Sequence, residues 1–306
     1  MFDLISIVVT GRNDADHLDT LLRRLRLIDV THEVIYVDLD SQDDSLRIAR
    51  RYTDKVFLVQ DMVWRRTSGR WVGATVAEFD WILFIDADMS IQEEFIDFLN
   101  NRTYMHAKGK IGGYVGTYHR LDGEKRDPTN ILPNRPGTKI ARFEGALLVK
   151  TEPLLRSGNW IPSINAHAHL DLRARLVAAG CYIESVPIPM VILLKPERSN
   201  VLRTVEELLP LNRNFFGLGQ VLASQVVHRT LFHFIALHPW PFLLGISLLI
   251  WLMTGELWGL ILFGLLVVVL LIYRDSRYVV DCLLSWIRAP FGLFAYRTKK
   301  PNFKQV

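Results

Sequence analysis

The segment Ile82-Leu83-Phe84-Ile85-Asp86-Ala87-Asp88-Met89 runs four large apolar residues straight into two carboxylates separated by one alanine. A second pair, Asp38 and Asp40, closes the earlier apolar run EVIYV in the same manner. Carboxylates crowded together repel one another, and a divalent cation held with a polyphosphate is the natural way to neutralise them. Divalent-cation chemistry on a phosphate-bearing substrate is therefore the first expectation for these residues.

Both pairs need a scaffold that delivers them to one place. Residues 4–9, 33–37, 56–59 and 81–85 read as apolar strands. Between the first two, NDADHLDTLLRRL sets Leu18, Leu21, Leu22 and Leu25 at helical spacing behind Asp N-cap candidates, and DLDSQDDSLRIARRY gives a second helix after the second strand. Strand alternating with helix predicts an α/β domain whose sheet is mainly parallel and covered on both faces. Ligands of such sheets bind outside the carboxyl ends of the strands, so all four aspartates should face one crevice.

The remainder of the chain asks for a solvent other than water. Half of its 306 residues are hydrophobic and the mean hydropathy is +0.17, more apolar than a soluble protein needs. The excess lies in residues 231–253 and 257–273, which lack Asp, Glu, Lys and Arg and are separated only by Thr254, Gly255 and Glu256. At about 1.5 Å per residue the first crosses a hydrocarbon core of roughly 30 Å and the second nearly does. Residues 231–273 are therefore expected to form a transmembrane helical hairpin.

Arg203, Arg213 and Arg229 precede this hairpin, and Arg274, Arg277, Arg288, Arg297, Lys299, Lys300 and Lys304 follow it. The positive-inside rule then puts both flanks in the cytoplasm, at the inner (plasma) membrane. The expected organisation is a catalytic domain over residues 1–200, an interfacial amphipathic segment over 201–230, the hairpin, and a basic juxtamembrane tail over 274–306. The net charge of +4 and pI near 9.1 come largely from these flanks and fit anionic lipid headgroups. Nucleic acid is disfavoured, because no aromatic-interleaved basic platform exists. The N-terminal apolar run reads as a strand rather than a signal peptide. Cys181 and Cys282 show no metal-ligand spacing.

The stretches SIVVTGRNDADHLDTLLRRL, VIYVDLDSQDDS, SGRWVGATVAEFDWILFIDADM and GALLVKTEPLLRSGNW resemble, in order and spacing, the family 2 glycosyltransferases of GT-A fold over residues 4–180. The hairpin, with PFGLFAY beyond it, resembles a membrane-bound subgroup of bacterial polysaccharide assembly. The resemblance implies that Thr10, Arg12 and Asp38 hold the donor nucleoside, with Asp40 beside them and Arg70 helping to hold substrate. It implies that Asp86, towards the ribose, and Asp88, the more direct ligand, bind Mg2+ or Mn2+ bridging the phosphates of a nucleotide sugar, with UDP the first expectation and GDP the second. Such a cation acts as a Lewis acid on the departing diphosphate.

On the acceptor side the pattern departs from the family. Relatives carry an acidic pair before a helix, one member deprotonating the acceptor, whereas INAHAHLDLRARLVAAG puts Ala168 and His169 there and Asp171 at a later acid. His169, with a histidine's ordinary pKa near 6.5, is one candidate base. Asp171 is the other, although its family role is that of a structural acid at a helix N-terminus. His167 reads as an exposed loop histidine. With neither base working, the chain would be a catalytically silent scaffold or regulatory subunit. A phosphate acceptor would need no base, which makes a polyprenyl phosphate, beside a lipid-linked glycan, an expected acceptor. QVVHRT lacks the Gln-x-x-Arg-Trp of processive synthases, so inverting transfer of a single sugar is expected. A nucleotidyltransferase is disfavoured by the single glycine in VVTGRNDADH. Gly245, Gly259 and Gly264 leave homo-oligomerisation open.

Overall fold

The computed structural model describes residues 4–60, 66–102, 110–122, 125–127, 145–194, 217–273 and 289–306. The parallel half of the sheet consists of β1 (Ile5–Gly11), β2 (His32–Asp38), β3 (Val56–Gln60) and β4 (Trp81–Asp86), all placed within two residues of the expected strands. Every residue of β1 and β4 is buried, as expected of parallel strands covered on both faces. Helix α1 (Ala15–Leu25) buries Leu18, Leu21, Leu22 and Leu25, the stripe that its spacing marks. A short α2 (Ser45–Ala49) follows β2.

Helix α3 (Arg66–Val76) lies unusually close to the sheet. A Cβ on Gly73 would stand 2.1 Å from Val8 Cγ1, and one on Gly69 would stand 2.9 Å from Thr10 Cγ2. Two glycines one turn apart thus let the helix backbone settle on β1. That approach is what brings the intervening Arg70 down to the end of β4.

The other half of the sheet is built differently. It comprises β5 (Met89–Ile91), β6 (Ile111–Asp122), β7 (Lys125–Asp127), β8 (Leu147–Lys150) and β9 (Tyr182–Leu193), in the order β4-β8-β6-β9-β5 with β7 beside β6. Only the β6 and β9 pairing is parallel here. Helices α4 (Glu93–Asn100), α5 (Thr151–Arg156) and α6 (Ala168–Ala178) complete this part.

Past the sheet, α7 (Gly217–Val227) packs on α6, and Ile161, Ile164, Leu170, Ala174, Val221 and Phe234 form a second apolar core there. The apolar region then departs from the expected hairpin. Residues 231–253 do not form one span: α8 (Leu231–Leu237) and α9 (Pro239–Thr254) meet at 93° around His238. Pro239 has no N–H for the preceding turn and disfavours helical geometry at His238, whose φ and ψ are −134° and 62°. Helix α10 (Leu257–Tyr273) returns along α9, and a Cβ on Gly259 would lie 3.0 Å from the Trp251 backbone. At 16 and 17 residues these helices are about 24 and 26 Å long. Among the described residues no single helix is long and apolar enough to cross a membrane, and only the bent α8–α9 pair reaches the length.

The tail is no free basic segment. A short helix α11 at 289–295 presses on α7, with the Ala289 carbonyl only 2.1 Å from where a Gly219 Cβ would be. The chain then adds β10 (Asn302–Gln305) antiparallel to β3, as the outermost strand of the main sheet. Phe303 packs edge-on to Phe57 and Trp71. Arg203, Arg213, Arg274, Arg277, Arg288, Cys282 and the start of the expected interfacial segment lie outside the described residues.

Candidate active site

Strand register assembles the site. Thr10 stands directly beside Asp86 across β1 and β4, and Gly11 beside Asp38 across β1 and β2. Both acidic ends therefore open on one crevice, as the alternation of strands and helices requires.

Asp86 is 1% exposed. Its Oδ1 accepts from Thr10 Oγ1 at 3.0 Å, and Arg70 Nη2 donates to Oδ1 and Oδ2 at 2.8 and 3.0 Å. Arg70 is itself buried, its guanidinium 5.0 Å from the centroid of Trp160, a cation–π distance. Burial pushes the Asp86 carboxyl up, but the Arg70 and Arg66 guanidiniums and the hydrogen bonds from Arg70 and Thr10 outweigh it and hold the group below the usual carboxylate range. Asp86 is thus fixed as an anion.

Asp88 follows a tight turn pinned by Ala87 N–H to the Thr10 carbonyl at 2.8 Å and by Leu194 N–H to the Asp88 carbonyl at 3.0 Å. Arg66, the first residue of α3, places Nη2 2.9 Å from Asp88 Oδ2 and Nη1 3.4 Å from Asp86 Oδ2. Arg66 was not among the residues expected from the sequence.

The nucleoside side is a pair of stitched loops. Asp38 is wholly buried, Oδ1 accepting from Ser41 N–H at 2.7 Å and Oδ2 from the Tyr36 hydroxyl at 3.1 Å. Burial pushes its carboxyl up against the opposing hydrogen bonds from Ser41 and Tyr36. Asp38 here braces a turn. Beyond it Asp40 adopts a left-handed φ of 66° and its carbonyl accepts from Arg12 Nε at 3.3 Å. Asn13, Asp14 and Ala15 N–H groups bond to Ser41, Ser45 and Asp43 side chains, tying the loop after β1 to the loop after β2.

The acceptor-side residues sit at the start of α6. His167, left-handed at φ 61°, is the N-cap residue, and its ring lies 6.5 Å from that of half-buried His169. Asp171, 1% exposed, accepts from Arg175 Nε at 3.0 Å and from Gln225 Nε2 at 2.7 Å. Arg175 also donates to the Ser157 and Asn159 carbonyls, and Thr230 donates to Gln225. This places Asp171 in a buried network joining α6 to α7. The site's two halves are connected, because Thr67 on α3 donates to the Pro162 and Ile164 carbonyls in the loop that leads to α6. Sequence reasoning missed Arg175, Gln225 and Thr230; only the spacing of Asp171 and Arg175, one turn apart, signals that network.

A divalent cation fits this donor set in one way. Arg70 and Thr10 already bond Asp86, so Asp88 would be the principal protein ligand. Among the described residues no group of three or more His, Cys, Asp or Glu side chains forms an all-protein cage. Binding through one or two carboxylates, completed by substrate phosphates and water, is how Mg2+ is commonly held.

Comparison with known proteins agrees with the geometry. Residues 6–147 match the model of glycosyl transferase family 2. A cholesterol galactosyltransferase of Borreliella burgdorferi is 23% identical over 147 residues, 47% of this chain and 41% of the relative. The chain thus spans less than half the length of that relative. A mannosyltransferase from Pyrobaculum calidifontis, solved with GDP-Man and Mn2+, superposes at a TM-score of 0.54 and 17% identity over 96% of this chain and 85% of its own. TarS of S. aureus, solved with UDP-GlcNAc, gives 0.53 and 17% over 73% and 72%. These two likenesses establish a shared fold. The strand ends and the aspartates they carry fall within the residues, 6–147, that match the model of glycosyl transferase family 2.

Proposed function

We propose that the protein is an inverting, metal-dependent glycosyltransferase that moves one sugar from a nucleoside diphosphate sugar to a lipid-held acceptor. The observation that carries the reading is the Thr10–Asp86–Arg70 cluster with Asp88 beside it at the carboxyl edge of the sheet. Arg70 and Thr10 keep Asp86 ionised and in place, and Asp88, on the adjoining turn, would hold the cation. That cation, when bound, supplies Lewis-acid stabilisation of the departing diphosphate. The stitched loops after β1 and β2, which carry Arg12, Asp38 and Asp40, form the nucleoside wall. Donors with UDP and GDP are the first to test, since structural neighbours bind UDP-GlcNAc and GDP-Man.

His169 is assigned to take the proton from an acceptor hydroxyl, with its Nδ1 or Nε2 as the accepting atom. A polyprenyl phosphate would dispense with that step, being ionised at neutral pH. In either case one in-line displacement at the anomeric carbon inverts its configuration.

The lipid acceptor is supported by the apolar helices. Ile246, Leu249 and Leu252 of α9 and Leu257, Ile261 and Leu265 of α10 face outward, and an apolar surface of that extent calls for a bilayer. Both ends of the α9–α10 pair return to the catalytic domain, one through α7 and the other through α11 and β10. Both ends therefore lie on one side of whatever the pair enters, and the basic flanks favour the cytoplasmic face of the inner membrane.

The test is calorimetric titration of the detergent-purified protein with UDP-, GDP- and dTDP-sugars, with and without Mn2+, alongside Asp88→Ala. Mn2+-dependent binding of one donor, lost in the variant, is the expected outcome. Failure of a folded protein to bind any donor would move the assignment to a silent scaffold.

A further inference from the structure

The two arginines of α3 hold the acidic pair in different ways. Arg66 and Arg70 lie one turn apart and share a helix face. Arg70 has 10% of its side chain exposed and bonds both oxygens of Asp86, whereas Arg66 has 59% exposed and reaches Asp88 from the solvent side. One guanidinium is sealed into the fold, and the other lies across the mouth of the site.

Charge balance gives the difference a consequence. Among the described residues, the guanidiniums of Arg70 and Arg66 stand against the carboxylates of Asp86 and Asp88. A divalent cation approaching alone must compete for Asp88 with a guanidinium already at 2.9 Å from its Oδ2. A cation arriving with a diphosphate is different, because the diphosphate offers Arg66 another anion. Guanidinium forks bind phosphate oxygens at least as well as carboxylates. The exchange keeps every charge paired.

We propose that Arg66 is a displaceable counter-ion: it occupies Asp88 in the donor-free protein, keeps a divalent cation out, and transfers to the donor's diphosphate when cation and donor bind together. This rests on the donor site proposed above. Arg66 then has two opposite effects. It weakens cation binding to the free protein, and it strengthens binding of the nucleotide. A purely structural arginine would do neither in that combination.

The experiment is titration of the full chain in detergent with Mn2+, read by the paramagnetic resonance signal of the free ion, with and without saturating UDP or GDP. Wild type is compared with Arg66→Gln and Arg66→Lys. Arg66→Gln should bind Mn2+ alone about five-fold more tightly than wild type, bind nucleotide about ten-fold more weakly, and show a smaller mutual enhancement of the two. Arg66→Lys, which keeps the charge without the fork, should lie between them. Mn2+ affinity that is unchanged or reduced in Arg66→Gln without nucleotide, in a protein that still binds nucleotide, overturns the role of Arg66 alone. If neither wild type nor variant binds nucleotide, the donor-site reading falls and takes this inference with it.

Discussion

Asp86 carries its charge where water does not reach, and the chain supports that charge with a buried guanidinium. Breaking such a pair by removing one partner is costly, because the other is left ionised and desolvated. Arg70→Ala is therefore expected to lower stability by about 3–5 kcal/mol, as read by urea denaturation in detergent. The pH dependence follows from the depressed carboxyl. Its contribution is complete above the ordinary carboxylate range near pH 4 and is lost as pH falls through the lower folded value. As pH falls below about 4, wild type should lose melting temperature more steeply than Asp86→Asn; parallel profiles would remove Asp86 from the account. At this scale Thr10, Asp86 and Asp88 were legible, since strand-terminal polar residues after apolar runs mark a crevice. Arg66 was not, because nothing in the order of residues links the start of α3 to a turn about twenty residues later. Asp38 was found in place, yet its buried bonds to Tyr36 and Ser41 depend on the pairing of two loops that sequence does not display.

Among the elements, α3 shows most clearly how packing sets chemistry. Gly69 and Gly73 remove the side chains that would hold the helix off β1. Gly73→Ala places a methyl group against Val8 and should cost about 1–3 kcal/mol while shifting Arg66 and Arg70 from the aspartates. The expected signature is a fall in nucleotide affinity larger than the modest loss of melting temperature would produce. Unchanged affinity would mean that the helix accommodates the methyl group without moving. The first four strands and α1 were readable from hydrophobic period because they are buried in the ordinary way. The break at His238 was overlooked because a hydropathy window counts apolar residues and ignores what Pro239 does to the backbone. Strand β10 was invisible for another reason: NFKQ has a single apolar residue, and its strand conformation comes from the open edge of β3 rather than from local preference.

At the scale of the molecule, a polar crevice is linked by packing and hydrogen bonds to an apolar pair of helices. The buried Arg175, Asp171, Gln225 and Thr230 network and the core around Phe234 make that connection. Apolar attachment to a membrane resists salt, whereas attraction of basic residues to headgroups does not. The full chain should stay in the membrane fraction through high-salt and alkaline washes, and serine at Ile246, Leu249, Ile261 and Leu265 should release it. Release of wild type by salt alone would show that the basic flanks make the attachment. The extent of this union was not legible in the sequence, which separates the catalytic domain, α7 and the tail by long intervals.

The pairing of β10 with β3 also imposes an order on synthesis. Residues 302–305 reach the edge of β3 only after both apolar helices have been made. Until then the growing chain carries a catalytic sheet with a bare lateral strand, the kind of edge that pairs with the wrong partner. Translation of the apolar pair thus precedes closure of the sheet, and a nascent chain delayed between the two is the form of this protein most exposed to aggregation.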